Sequence, residues 1–232
     1  MSTFTVPARF NGPPSSGNGG YSCGLVAKAL EGPAAVSLRR PVPLDRPLEV
    51  RPEGDDKATA FADGELIAEA VPAAPLSAWD GSLPSLAEAH AARDLYDAPF
   101  TGEFAGCFVC GRSRPDGLRV YTGPVDGRDL VASPWTPAVW TAGEDGAVSP
   151  EFVWAALDCP AYFALHGNSK QVSYLARQQV EILAPIHPDV EYVVAGKRLE
   201  SSGRKGLAAT AIFDATGTVL AHGECLFVVP LR

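Results

Sequence analysis

Lysine and arginine are in deficit in this chain, 19 against 27 aspartates and glutamates, for a formal net charge of −8. Broad binding to nucleic acid needs surplus cations to neutralise phosphates, so that partner class is excluded and any anionic ligand must find a local basic patch. Uninterrupted apolar runs are short of the ~18 to 20 residues that a membrane-spanning helix requires. The first residues, "MSTFTVPARFNG", lack a basic start followed by an apolar core, so no secretory signal is read there and a cytoplasmic location without a membrane partner is expected. Cysteine is scarce and odd in number: five, at positions 23, 107, 110, 159 and 225, which is no disulfide framework. Reduced thiols are the default in that setting. Cys107 and Cys110 form the one close pair, in "CFVC", and no second pair follows at zinc-finger spacing. The pair therefore reads as a tight turn with two small buried thiols, and no metal or other cofactor is expected.

What is present points to a globular protein. Hydrophobic residues are 46% and charged residues 20%, near the globular average, and 232 residues allow one large domain or two small fused ones. A helix signal stands at "NGGYSCGLVAKALEGP", with Asn18 as N-cap, Lys28 near the C-terminal end and Gly32-Pro33 as the stop. Strand patterns follow in "AVSLRRPVPL", "RPLEV" and "KATAFADGELIAEAV", the last with a hairpin turn at Asp63-Gly64. Residues 72–106 change character: Pro72, Pro75, Pro84 and Pro99 punctuate a connecting stretch with one helical candidate, "SLAEAHAARDLY". The second half opens with a hairpin pattern, "GLRVYTGPVDGRDLVASPW", and continues through a helix, "PEFVWAALDCPAYFAL". Four strands then follow, "QVSYLARQQVEIL", "DVEYVVAGKRLE", "GLAATAIFD" and "TVLAHGECLFVV".

Both halves thus read as a helix followed by antiparallel strands, an internal repeat. "TAFADGELIAEAVP" resembles "AIFDATGTVLAHGECLFVVP", "VSLRRPVPL" resembles "VSYLARQQVEIL", and Gly19-Gly20 falls opposite Pro150-Glu151. The expected organisation is a first repeat over 1–72, a connecting segment over 73–104 and a second repeat over 105–232. The fold class is α+β, with each helix wrapped by an antiparallel sheet and the two copies sharing one continuous sheet.

Asp158 stands inside the almost wholly apolar second helix, where a lone carboxylate costs several kcal/mol unless it is paired or protonated. A carboxylate in an apolar groove is poorly solvated and more basic, which suits a general base near neutral pH. The amides at a helix start supply aligned donors for a developing oxyanion, and Gly19-Gly20 stands at such a start. The residue seven after Gly20 is Ala27, whereas Asp158 is seven after Glu151, so neither copy holds both parts. Seven helical residues span roughly 10 Å, too far for one helix to serve both ends of a single carbonyl. A complete site must combine two helices.

This order of elements resembles the hotdog fold, and the two copies resemble the double-hotdog form found among acyl-CoA thioesterases. Residues 106–135, "GCFVCGRSRPDGLRVYTGPVDGRDLVASPW", are similar to the opening of the phenylacetyl-CoA-type hotdog thioesterases, and "AALDCPAYFAL" resembles the acidic part of their helix. The His-Gly-Gly of those enzymes is met here by Gly19-Gly20 alone. The resemblance implies hydrolysis of an acyl thioester, with Asp158 as general base or nucleophile and the amides of Gly19 and Gly20 polarising the carbonyl. It also implies an acyl-CoA or related thioester as partner, and it leaves a homodimer of such chains open. For the CoA phosphates the candidates are Arg112, Arg114 and Arg119, or Arg204 and Lys205 in "GRKG"; Asn18, His166 and Asn168 are candidates to contact substrate or orient water.

Structural alternatives stand beside these. Pro160 cannot donate a helical hydrogen bond, so the helix is expected to kink or restart there, and Asp158 is then a candidate N-cap. His166 and Asn168 also serve as helix-ending residues. A non-catalytic acyl-binding protein is the rival from another class. An enoyl-CoA hydratase is disfavoured, since Phe163 occupies the position five after Asp158 where those enzymes carry His.

Overall fold

The structure, a computed structural model, describes residues 2–231 except 55, 81, 98–103 and 170. The first repeat holds β1 (Ser2–Thr5), α1 (Gly19–Ala27), β2 (Ala34–Leu38), β3 (Pro47–Pro52), β4 (Ala58–Ala62) and β5 (Glu65–Pro72). After α2 (Leu86–Asp94) come β6 (Gly123–Pro124), β7 (Val131–Trp135), α3 (Pro150–Ala156), α4 (Asp158–His166), β8 (Tyr174–Ile182), β9 (Tyr192–Ser202), β10 (Lys205–Phe213) and β11 (Val219–Val228). The strands form one antiparallel sheet in the order β1-β3-β4-β5-β2-β8-β11-β10-β9-β7-β6. Its seam is the pairing of β2 with β8, through Ala35 with Gln179, Val36 with Gln178 and Ser37 with Arg177. Outward from that seam lie β5, β4 and β3 on one side and β11, β10 and β9 on the other. The segments matched by sequence, 59–72 and 211–230, therefore occupy equivalent places, and the repeat is real.

Local chemistry accounts for much of this. Asp63 and Gly64 both take positive φ, 50° and 82°, the backbone that a two-residue hairpin between right-twisted strands requires. Asn18 caps α1, its side chain accepting from the Tyr21 amide at 2.9 Å. Ser85 and Glu88 form a reciprocal capping box on α2. That helix lies on the outer face of the sheet: Ala89 and Ala92 pack with Val193, Ala195, Ala211 and Phe213, whereas the alternate residues Val194 and Ile212 belong to the main core. Period-two alternation thus explains why β9 is apolar on both faces.

One expectation holds and two are corrected. The helix over 150–165 is two helices meeting at Leu157, because Pro160 interrupts the hydrogen-bond ladder. Sheet side chains reach the carbonyls around the break: Gln178 Nε2 donates to Trp154 O at 3.0 Å and the Cys225 thiol to Leu157 O at 3.5 Å. The N-cap of α4 is Leu157, and Asp158 makes no capping bond. The expected strand over 117–123 is mostly loop, with β6 only two residues long, because the Leu118 and Val120 amides donate to Phe108 O and Val109 O of the "CFVC" turn. Phe108 anchors that turn, fully buried with its ring centroid 4.8 Å from Phe10 and 6.3 Å from Tyr21 and from Phe152. Aromatic contacts of this kind add about 0.5–1.5 kcal/mol each beyond area burial. β1 was not evident from its sequence pattern; it exists by pairing with the edge of β3.

Trp154 and Phe163 are buried in the main core, and Leu25 packs partly buried against that core. The two central helices touch backbone to backbone. A Cβ on Gly24 would lie 2.7 Å from Glu151 Cα and 3.0 Å from Trp154 Cβ, and one on Gly20 would lie 2.6 Å from Trp154 O. Gly24→Ala gains up to about 1 kcal/mol in helix propensity, but overpacking a tight contact costs about 1–3 kcal/mol. A net loss of stability is expected in urea denaturation, and a stabilised variant would show that the helices separate freely.

Candidate functional site

The site forms where the start of α1 meets the start of α4. Because Gly20 has no side chain, its backbone approaches the α3–α4 junction, where a Cβ would fall 2.7 Å from Asp158 Cβ. The Gly20 amide donates to Asp158 Oδ2 at 3.0 Å, and Asn18 Nδ2 donates to the same oxygen at 2.9 Å. Asn18 thus caps α1 with its oxygen and holds the acid with its nitrogen. Asp158 Oδ1 has no hydrogen-bond partner among the described residues, and neither does the Gly19 amide.

Asp158 is only 5% exposed. Loss of solvent pushes its pKa up to about 7, more than the bonds from Gly20 and Asn18 pull it down. The acid therefore titrates in the neutral range.

Asn18, Gly19 and Asp158 lie on the wall of a cavity of about 630 Å³, a volume suited to a small organic group. Its lining comes from both repeats and is largely apolar, including Tyr162, Phe163, Leu175 and Phe227. Gly20 stands behind this wall. The opposite end of the helix pair carries no acid on α1: Lys28, the C-cap of α1, pairs there with Glu151 of α3 at 2.7 Å. The composite arrangement is therefore one-sided.

The other predicted positions scatter. His166 Nε2 lies 2.9 Å from Ser173 Oγ, and Ser173 lines the cavity; burial, and secondarily Arg198, lowers the His166 pKa, which favours the neutral ring. Asn168 ties the end of α4 to the segment after α2, bonding Leu95 O and the Asp97 amide. Arg112 lines the cavity, its guanidinium 4.9 Å from the Tyr96 ring centroid. Arg114 is engaged within the fold by Asp116, Asn11 Oδ1 and the carbonyls of Gly106 and Arg9. Arg119, with φ 61°, donates to Pro115 O, and Arg204 to Val229 O beside the lining residues Val228 and Pro230. Lys205 opens β10. Arg119, Arg204 and Lys205 are outside the lining.

Two features escaped sequence reasoning. Arg39 and Arg40 line the cavity from the first repeat, a basic pair just past β2 that was visible as "RRP" but read as part of a strand. Cys159 comes beside Cys107 and Cys110, and no spacing rule signals that meeting.

A search of solved structures finds the same architecture along nearly the whole chain. A hotdog-fold protein of unknown function from Alicyclobacillus acidocaldarius matches 99% of this chain and 93% of its own, at 13% identity and TM-score 0.63. A thioesterase II candidate from Thermobifida fusca matches 99% and 92%, at 12% identity and TM-score 0.61. A thioesterase candidate from Novosphingobium aromaticivorans matches 99% and 95%, at 15% identity and TM-score 0.60. No protein-family model matches the chain, and a search of curated proteins finds no match. At these identities the likeness establishes the fold, and that fold is the double hotdog. No helix among the described residues is long and apolar enough to cross a membrane.

The raised pKa has a consequence for stability. In the unfolded chain Asp158 titrates near 4, and in the folded protein near 7. Between those values the folded state holds a proton that the unfolded state does not, so this group's contribution to stability falls as pH rises through the window. Asp158→Asn is isosteric with the protonated acid and removes that dependence. Urea midpoints should match the parent at pH 4 and exceed it at pH 8; parallel pH profiles would show an ordinary carboxylate.

Proposed function

We propose that this chain hydrolyses an acyl thioester, with acyl-CoA as the substrate class, at one composite site per chain. The observation that carries the proposal is the placement of Asp158, desolvated and held through one oxygen, beside the α1 start on the wall of an apolar cavity. The thioesterase candidates among the structural neighbours agree with it.

In this mechanism the acyl group occupies the apolar cavity and its thioester carbonyl oxygen accepts from the Gly19 amide. The start of α1 favours the charge that develops there. Gly20 and Asn18 fix Asp158 through Oδ2, leaving Oδ1 to take a proton from water as that water attacks the carbonyl carbon. The tetrahedral adduct then collapses, the C–S bond breaks, and the proton on Asp158 passes to the leaving thiolate. The products are a carboxylic acid and a free thiol. Gly19 thus serves as the oxyanion donor, and Gly20 as the residue that positions the acid. Arg39, Arg40 and Arg112 are the lining cations assigned to CoA phosphates in place of Arg114, which is outside the lining; Arg39 and Arg40 would exchange their pairs with Glu69 and Glu65 for phosphate oxygens. Phosphate attraction at the mouth should weaken with salt.

A panel of acyl-CoA esters with a thiol reagent reporting free CoA tests this. Asp158→Asn should keep ligand binding and lower turnover by ~10² or more, the usual cost of losing a general base. Calorimetric titration with a non-hydrolysable acyl-CoA should give one tight site per chain. If the parent binds esters but releases no CoA, the chain is an acyl-binding protein; two equivalent tight sites would refute the asymmetry.

A further inference from the structure

Cys107, Cys110 and Cys159 form a cluster that hydrolysis leaves unused. Their sulfurs all lie within 4.8 Å of one another, with Cys107 and Cys159 3.8 Å apart. A zinc ion bound by thiolates at ~2.3 Å in tetrahedral geometry sets its sulfurs roughly 3.8 Å apart. One pair is already at that spacing, and the third sulfur lies within 4.8 Å of both.

The surroundings hold the three thiols in place. The turn is closed by the Gly111 amide on Cys107 O at 2.8 Å, and a Cβ at Gly111 would lie 2.6 Å from that same oxygen. Phe108 and Val109, both fully buried, lock the turn in the core, while Cys159 is carried by α4. The three thiols are thus positioned by rigid elements from two distant parts of the chain. All three are at most 8% exposed, yet all line the cavity. Arg112, two residues beyond Cys110, is a cation on the same wall.

We propose that Cys107, Cys110 and Cys159 bind one zinc ion, with the fourth coordination position open to the cavity for water or a ligand thiolate. Binding takes the form of three S–Zn bonds, and the three thiol protons go to solvent. Three protein ligands and one open position are the arrangement of zinc sites that exchange a ligand. The sequence expectation of no metal rested on the missing second pair, and Cys159 partly fills that gap across 49 residues. The site stands whether or not the chain hydrolyses thioesters.

The test uses the full chain, stripped with a chelator and kept reduced, titrated with cobalt(II) and then zinc(II). One equivalent of cobalt should give tetrahedral ligand-field absorption with sulfur-to-cobalt charge transfer, and one equivalent of zinc should abolish both. Cys159→Ser and Cys110→Ser should each weaken binding by more than the ~10- to 100-fold typical of losing an outer-shell partner, and Cys225→Ser should leave the spectrum unchanged. The wild-type titration decides the matter even if a variant fails to fold. Absence of cobalt and zinc binding by the reduced wild type overturns the proposal, as does undiminished binding in Cys159→Ser.

Discussion

Asp158 can be buried because the α1 helix start reaches it, and that start reaches it because Gly20 carries no side chain. A side chain at position 20 would collide with Trp154 O, Asp158 Cβ and Ala155 Cα together. The same glycine supplies the amide that holds the carboxyl, so the tightest packing contact and the polar heart of the site are one interaction. The cost of desolvating the acid remains in part and appears as a pKa near 7. Strain of this electrostatic kind is tolerable in a fold whose helices are enclosed by a sheet with long-range pairing on both sides.

The junction at Leu157 completes that geometry. Had α3 and α4 been one straight helix, Asp158 would have been an interior helical residue. The break at Pro160 instead leaves carbonyls that Gln178 and Cys225 satisfy from the sheet. It also sets Asp158 at the first turn of α4, and Cys159 beside it on the cavity wall. One proline thereby places an acid and a thiol on the same surface.

The duplicated fold gives two helix-start and helix-acid combinations, and the chain equips one. At the α4 end, the acid meets the first repeat's glycines; at the other, Lys28 and Glu151 make an ordinary ion pair. The cavity draws its wall from both repeats, with Arg39 and Arg40 from one and Arg112, Tyr162 and Phe163 from the other. The site belongs to the pair of repeats and to neither alone.

The sequence by itself determined the features governed by neighbours along the chain. Asn18 as a cap, the Asp63-Gly64 turn, the alternation of the strands and the interruption at Pro160 are local steric and hydrogen-bonding facts, and the repeat made legible the shared sheet and the meeting of Asp158 with the α1 start. Only the tertiary structure decided what depends on contacts between distant segments. The amides of the strand expected over 117–123 bond instead to carbonyls of the "CFVC" turn, whose Phe108 packs in the aromatic core. Arg114 was drawn to Asp116 and nearby carbonyls, and Cys159 was carried 49 positions to meet Cys107 and Cys110. Spacing rules see separations along a chain, whereas side-chain chemistry acts across a few ångströms of space, and the folding of α4 against the 107–110 turn converts the one into the other.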